Sequence, residues 1–262
     1  MKSVCARLWF AYRASSAEPT TDFRREGKRI AMDNFDIAVQ TFLAHALSGS
    51  SVFDRAIRAI ASFNLFKGVV PIALLWGIWF TSSKRLAWAR EMVVATLASG
   101  ALAFFLGRLL AHFLPFRMRP IYNPNLHLVF PMFGTTEKIL RTWSSFPSDH
   151  AALWASVAMG IFLVWRWVGV LALLHCAIFI CLPRVYLGLH YATDVIGGAA
   201  IGLLVTYVVT RPSVRDRFAP IVVRLINAYP SYGYALAFLL CFELATMFEE
   251  PRLLVQSIAN KL

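Results

Sequence analysis

Charged residues are scarce in this chain, 15% of 262, where a soluble domain carries roughly a quarter. With 58% hydrophobic residues and a mean hydropathy of +0.61, such a chain cannot clothe a soluble surface in polar groups. An ordinary soluble fold is excluded, and a membrane protein is indicated. Acidic residues are scarcer still, 14 against 26 basic ones, for a net charge of +12. In a soluble chain that excess would point to nucleic acid. Here the basic residues flank apolar segments and form no stripe with aromatics on a soluble face, so no nucleic-acid partner is implied. Cysteine is sparse too: three of the four, Cys176, Cys181 and Cys241, lie inside apolar segments. Their spacing matches neither a disulfide framework nor a zinc site, so no metal is assigned. There is no internal repeat.

The polar N-terminal stretch, residues 1–31, lacks the apolar centre of a secretory signal and carries Arg7, Arg13, Arg24, Arg25, Lys28 and Arg29. It is expected to be a disordered basic extension, and Met32 followed by D-N-F-D leaves open that translation starts there. Across residues 32–64 two stretches, 34–47 and 52–63, repeat apolar residues at helical spacing. Both are too short and polar to span, which predicts amphipathic helices at the interface. Apolar runs at 66–81, 92–113, 151–165, 167–182, 191–210 and 232–248 then predict about six transmembrane helices with soft boundaries, since several fall short of the ~20 residues a bilayer asks for. The expected fold is an all-α polytopic membrane bundle. Its catalytic part would run over 65–211, followed over 212–262 by a cytoplasmic loop, a last span and a tail. Gly198 and Gly202 form a G-x-x-x-G that permits close helix contact.

Lys84, Arg85, Arg90, Arg166, Arg211, Arg215, Arg217 and Arg224 all fall in connections on one side of this arrangement, which the positive-inside tendency makes cytoplasmic. The opposite side then holds 114–148 and 183–190. Arg108, Arg117, Arg119, Lys138 and Arg141 also lie there, against the tendency, as does the basic extension; anion binding would account for some of the former.

Three polar clusters stand on that outer side. In L-P-F-R-M-R-P, Arg117 and Arg119 offer planar forks that match phosphate oxygens; taken alone they equally suit lipid headgroups. In W-S-S-F-P-S-D-H, Ser148, Asp149 and His150 open an apolar run. Ser148 there suits an N-cap, and the free amides of that first turn favour an anion. In R-V-Y-L-G-L-H-Y-A-T-D, His190 and Asp194 are four apart. On one helical face the carboxylate would hold one imidazole nitrogen and leave the other free to attack. An ionisable pair in a membrane helix is expensive, which favours a function for it.

The ordered set R-P, P-S-D-H and R-x5-H-x3-D, each at the mouth of an apolar span, resembles the type 2 phosphatidic acid phosphatase superfamily of lipid phosphatases. The resemblance covers roughly 92–210. The F-P-S-D-H-A form, with Asp149 in place of the family Gly, is similar to the bacterial branch that includes undecaprenyl diphosphate phosphatases. The resemblance implies that His190 attacks phosphorus to form a phosphohistidine, that Asp194 orients it, and that His150 protonates the leaving oxygen. It further implies that Arg119, Arg184 and Ser148 bind the phosphoryl oxygens, with Arg117 and Asp149 beside them. The family needs no metal or other cofactor. Two positions depart from its pattern: the family Lys falls on His112, with Arg108 one turn earlier as a substitute cation, and the family Ser falls on Pro183, which cannot donate. The implied protein is a lipid phosphatase of the cytoplasmic membrane, acting on a lipid phosphate or polyprenyl diphosphate in the bilayer, with its site facing the periplasm or exterior. A phosphatase of soluble sugar or nucleotide phosphates, and a non-catalytic lipid-binding or transport protein, are the alternatives. Oligomeric state is not indicated.

Overall fold

The computed structural model describes residues 33–47, 50–81, 84–131 and 139–251, with 254 and 257. The basic extension 1–31 and Lys138 lie outside the described residues. Those described form helices and connections, with no strand among them. Helix α1 is Asn34–Leu47 and α2 Ser51–Ser62. Helix α3, Leu65–Trp79, opens with a π-helical turn over Leu65–Val69. Then come α4, Leu86–Phe113, and α5, Asp149–Val164. Helix α6, Arg166–Tyr186, has a π-helical stretch over Cys176–Cys181. The chain continues with α7, Ala192–Val209, α8, Ala219–Ala228, and α9, Pro230–Thr246.

The core is built around α5. Its residues 151–158, Gly160 and Ile161 are all buried, the pattern of a helix apolar all round and enclosed by neighbours. Helices α4, α6 and α7 pack around it, while α3 and α8 close on α4 and α9 on α8. Leu153, Trp154 and Ile161 of α5 share one apolar cluster with Leu75 and Ile78 of α3, Val93 and Phe104 of α4, Ile180 of α6, Val223 of α8 and Leu244 of α9. Helices α8 and α9 thus contribute Val223, Ile226, Cys241 and Leu244 to the bundle core.

Every expected apolar run is largely helical, but among the described residues three helices are long and apolar enough to cross a membrane, α4, α6 and α7, or four if α2 and α3, bent by 58°, make one span. The expectation of about six rested on apolarity alone. Helix α5 is apolar because it is enclosed by protein, and its 16 residues reach only about 24 Å, less than the ~30 Å of a hydrocarbon core. Helix α8 was not foreseen.

The G-x-x-x-G of α7 sets a close contact with α5. A Cβ at Gly198 would lie 2.2 Å from the Ser148 carbonyl oxygen, and one at Gly202 would lie 2.2 Å from that of Ala152. The absence of side chains there lets α7 lie on the first turns of α5, so the second and third sequence clusters meet.

Candidate active site

Backbone bonds join the three polar clusters before any side chain is considered. The Ser148 amide donates to the Asp194 carbonyl (3.0 Å), Ser145 to Arg117 (2.8 Å) and Ile121 to Gly188 (2.9 Å). Gly188 has φ +72, a left-handed turn that glycine adopts without strain. That turn reverses the chain between α6 and α7 and carries His190.

His190 is 3% exposed. It lies in the turn ahead of α7, not on the same helix as Asp194, which corrects the expected helical pairing. Its Nδ1 stands 2.8 Å from the Ser145 carbonyl oxygen and 3.7 Å from Asp194 Oδ2. A carbonyl only accepts, so this contact assigns the ring proton to Nδ1. Nε2 is then the lone-pair nitrogen, 3.3 Å from Arg119 Nη1. Burial, then the Arg119 charge, pushes His190 below the usual imidazole range against the opposing pull of Asp194. Asp194 itself caps α7: its Oδ2 accepts from the Tyr191 amide at 2.8 Å, one half of a capping box.

Arg119 is buried, donates from Nη1 to the Leu189 carbonyl at 2.7 Å, and has no protein partner for Nε. Burial lowers its pKa, with Asp149 and Asp194 opposing. Asp149 binds Arg108 Nη2 through Oδ2 (2.6 Å) and His150 Nδ1 through Oδ1 (2.7 Å). Arg108 also stacks over Trp143, 4.4 Å from its ring centre, and its Nε has no protein partner. A cavity of about 700 Å³ is lined by Arg108, His112, Arg119, Asp149 and His190. Ala111, Phe113, Leu114, Pro115 and Phe116 stand beside them.

The other expected residues stand off this cavity. Ser148 is buried as the N-cap of α5, its Oγ accepting from Ala151 at 3.5 Å. Arg184 lies close enough to Asp149 and Arg119 to feel both charges, but neither it nor His150 lines the cavity. Arg117 is the clearest departure from the expected phosphate set. Its guanidinium is bonded to Asp36 and Asp194 and to Thr193 Oγ1 (2.8 Å), and it lies over the Tyr191 ring at 4.3 Å. Burial would lower its pKa, but the two carboxylates outweigh this and raise it. A fork already filled by two anions is not free for a third.

Asp36 and Gln40 were not foreseen at the site. The signal available was their spacing: two polar residues four apart on a helix that also carries Phe35, Ile37 and Phe42. An interfacial reading turns such a pair to water, yet here both are buried while those three apolar side chains are exposed.

The sequence matches the family model described as the PAP2 superfamily over residues 88–218. It is 31% identical to "Putative undecaprenyl-diphosphatase YbjG" of Escherichia coli (strain K12) over 175 residues, 66% of this chain and 80% of that one. It is 26% identical to "Bacitracin transport permease protein BcrC" of Bacillus licheniformis over 154 residues, 59% of this chain and 68% of that one. Among solved structures, a transmembrane PAP2 type phosphatidylglycerolphosphate phosphatase from Bacillus subtilis aligns with a TM-score of 0.44 at 19% identity, covering 79% of this chain and 92% of that one.

Proposed function

We propose, from the premise that the chain belongs to the PAP2 superfamily and is a membrane lipid phosphatase, that it cleaves a polyprenyl diphosphate or phosphatidic-acid-type lipid through a phosphohistidine on His190, without a metal. The observation that carries the substrate class is the mixed lining of the cavity: Arg108, Arg119, Asp149 and His190 together with Ala111, Phe113, Leu114 and Phe116. A phosphate head and the start of an apolar tail both find their solvent there. A water-soluble sugar phosphate would leave the apolar lining unused.

In this reading Nε2 of His190 attacks phosphorus as the bond from phosphorus to the lipid oxygen breaks. The leaving oxygen takes a proton from His150, whose ring has to turn from Asp149 to deliver it. Water then attacks the phosphohistidine, the N–P bond breaks, the water proton returns to His150 and phosphate departs. Charge on the equatorial oxygens is met by Arg119 and Arg108, whose Nε groups lack protein partners, with Arg184 nearby. Donors fixed before reaction in a dry site supply most of such stabilisation. Arg108, on the cavity wall one turn before His112, fills the part of the family Lys. Ser148 serves the site by starting α5. The site is proposed to face the outer side of the cytoplasmic membrane, as the distribution of basic residues supports.

The test is phosphate release in EDTA from undecaprenyl diphosphate and phosphatidic acid, with a soluble hexose phosphate beside them. Wild type is expected to release phosphate from one or both lipids, and His190→Ala from neither. Equal turnover of the hexose phosphate would overturn the lipid assignment, and full activity in His190→Ala would overturn the intermediate.

A further inference from the structure

Helix α1 enters the site through two side chains. Asp36, with no exposed surface, accepts through Oδ1 from the Thr193 amide (2.9 Å) and through Oδ2 from Thr193 Oγ1 (2.6 Å) and from the Arg117 guanidinium. One turn on, Gln40 Nε2 donates to the backbone carbonyl of His190 itself at 3.0 Å. Arg117 in turn binds Asp194 Oδ1, leaving Oδ2 for the Tyr191 amide and, at 3.7 Å, for His190 Nδ1. A chain of contacts therefore runs from α1 through Arg117 to the carboxylate beside the nucleophile.

We infer that Asp36 is a positioning residue for the reaction: by sharing Arg117 with Asp194 it keeps one Asp194 oxygen turned toward His190, so that α1 belongs to the catalytic unit. The inference rests on the reading of His190 as nucleophile. Arg117 presents a bidentate fork, and a carboxylate is its best partner. With Asp36 present, each carboxylate takes one end of the fork. With Asp36 removed, Arg117 is free to bind both Asp194 oxygens, which would draw Oδ2 from Tyr191 and His190. The charges act in the same direction. The groups that face His190 are Arg119, Asp194 and Asp149, and Asp36 and Arg117 add one charge of each sign behind Asp194. In a buried site such charges are poorly screened. Removing the negative one disfavours protonated His190, and removing the positive one favours it.

The experiment measures kcat and KM against pH for wild type, Asp36→Asn, Arg117→Gln and the double variant, on whichever of undecaprenyl diphosphate or phosphatidic acid wild type hydrolyses. The expected result is an acid limb moved to lower pH in Asp36→Asn, to higher pH in Arg117→Gln, and near the wild-type position in the double variant. In all three kcat should fall about tenfold to a hundredfold, as displaced catalytic groups do, with KM within a few-fold. Should Asp36→Asn elute as an aggregate in size exclusion, Arg117→Gln and the double variant, which keeps the wild-type net charge, are read instead. Unchanged kcat overturns the assignment. Shifts of the same sign, or none, in the two single variants also overturn it while leaving the nucleophile intact. If instead His190→Ala matches wild type, it is the phosphohistidine reading that fails.

Discussion

Burial and the guanidinium of Arg119 both disfavour a proton on His190, and the Ser145 carbonyl keeps the one ring proton on Nδ1. Nε2, the proposed nucleophile, then keeps its lone pair below the usual imidazole range. Since the folded pKa is lowered, the neutral ring persists as pH falls through 6.5. The acid limb of kcat/KM should therefore lie below 6.5, and a limb above it in a pH series would contradict this electrostatic account. The same sign means that His190 withdraws stability at low pH, because the unfolded chain takes up the proton first. Arg119→Gln should lower kcat by about 10²–10³, the usual cost of one lost donor to a developing anion, with little change in melting temperature. At this scale His190, Arg119 and Asp149 were legible as polar residues at the mouths of apolar runs. Arg117 was not separable from Arg119 by sequence. Two residues apart in one loop, they turn to different partners, one to two carboxylates and the other to the nucleophile, and only the folded chain brings those partners together.

Helix α7 meets the backbone of α5 at Gly198 and Gly202. A Cβ at Gly202 would stand 2.2 Å from the Ala152 carbonyl oxygen and 2.9 Å from the Ser156 amide, atoms that cannot swing aside. Gly202→Val should therefore cost about 1–3 kcal/mol and reduce phosphatase activity as well, because the displaced helix carries Asp194. Gly77→Ala is the control: its Cβ would meet only the Trp165 ring at 3.7 Å, and thermal inactivation in detergent should be unchanged. The apolar runs marked all these helices, but periodicity did not tell a helix enclosed by protein from one facing lipid, since both are apolar all round. For α1 the same ambiguity ran the other way. Its buried side carries Asp36 and Gln40 beside Leu43, the polar pair being buried because Arg117, Thr193 and the His190 carbonyl are its partners, while Phe35 and Phe42 stand exposed.

In the whole molecule the site and the basic connections lie at opposite ends of the bundle. Arg90 donates to the Trp79 carbonyl where α3 ends, and Arg215 lies by Glu91 and Met92 at the start of α4. The cavity opens at the other end of α4. With the basic end held to the cytoplasm, an extracytoplasmic reporter fused at Lys84 should be silent and one fused at Asn125 active. The reverse pattern would turn the site inward and restrict it to lipids of the inner leaflet. The N-terminal helices α1 and α2 lie with the site, because α3 returns the chain across the bundle before α4 begins.

What could be read from the chain alone is its class, a helical membrane protein, and the residue types on offer at the site. Its shortage of charge requires a membrane, its apolar runs require helices, and each motif carries its reactive residue types whatever the packing. Folding sets the partners: which arginine faces His190, that a backbone carbonyl rather than Asp194 accepts the closest hydrogen bond from its Nδ1, and that Asp36 shares Arg117 with Asp194. The physical reason is range. Apolarity and helix periodicity are local properties that a few neighbouring residues express. A buried charge instead takes its role from partners as far apart in the chain as Asp36 and Thr193, which only the close packing of α7 on α5 and α1 brings into contact.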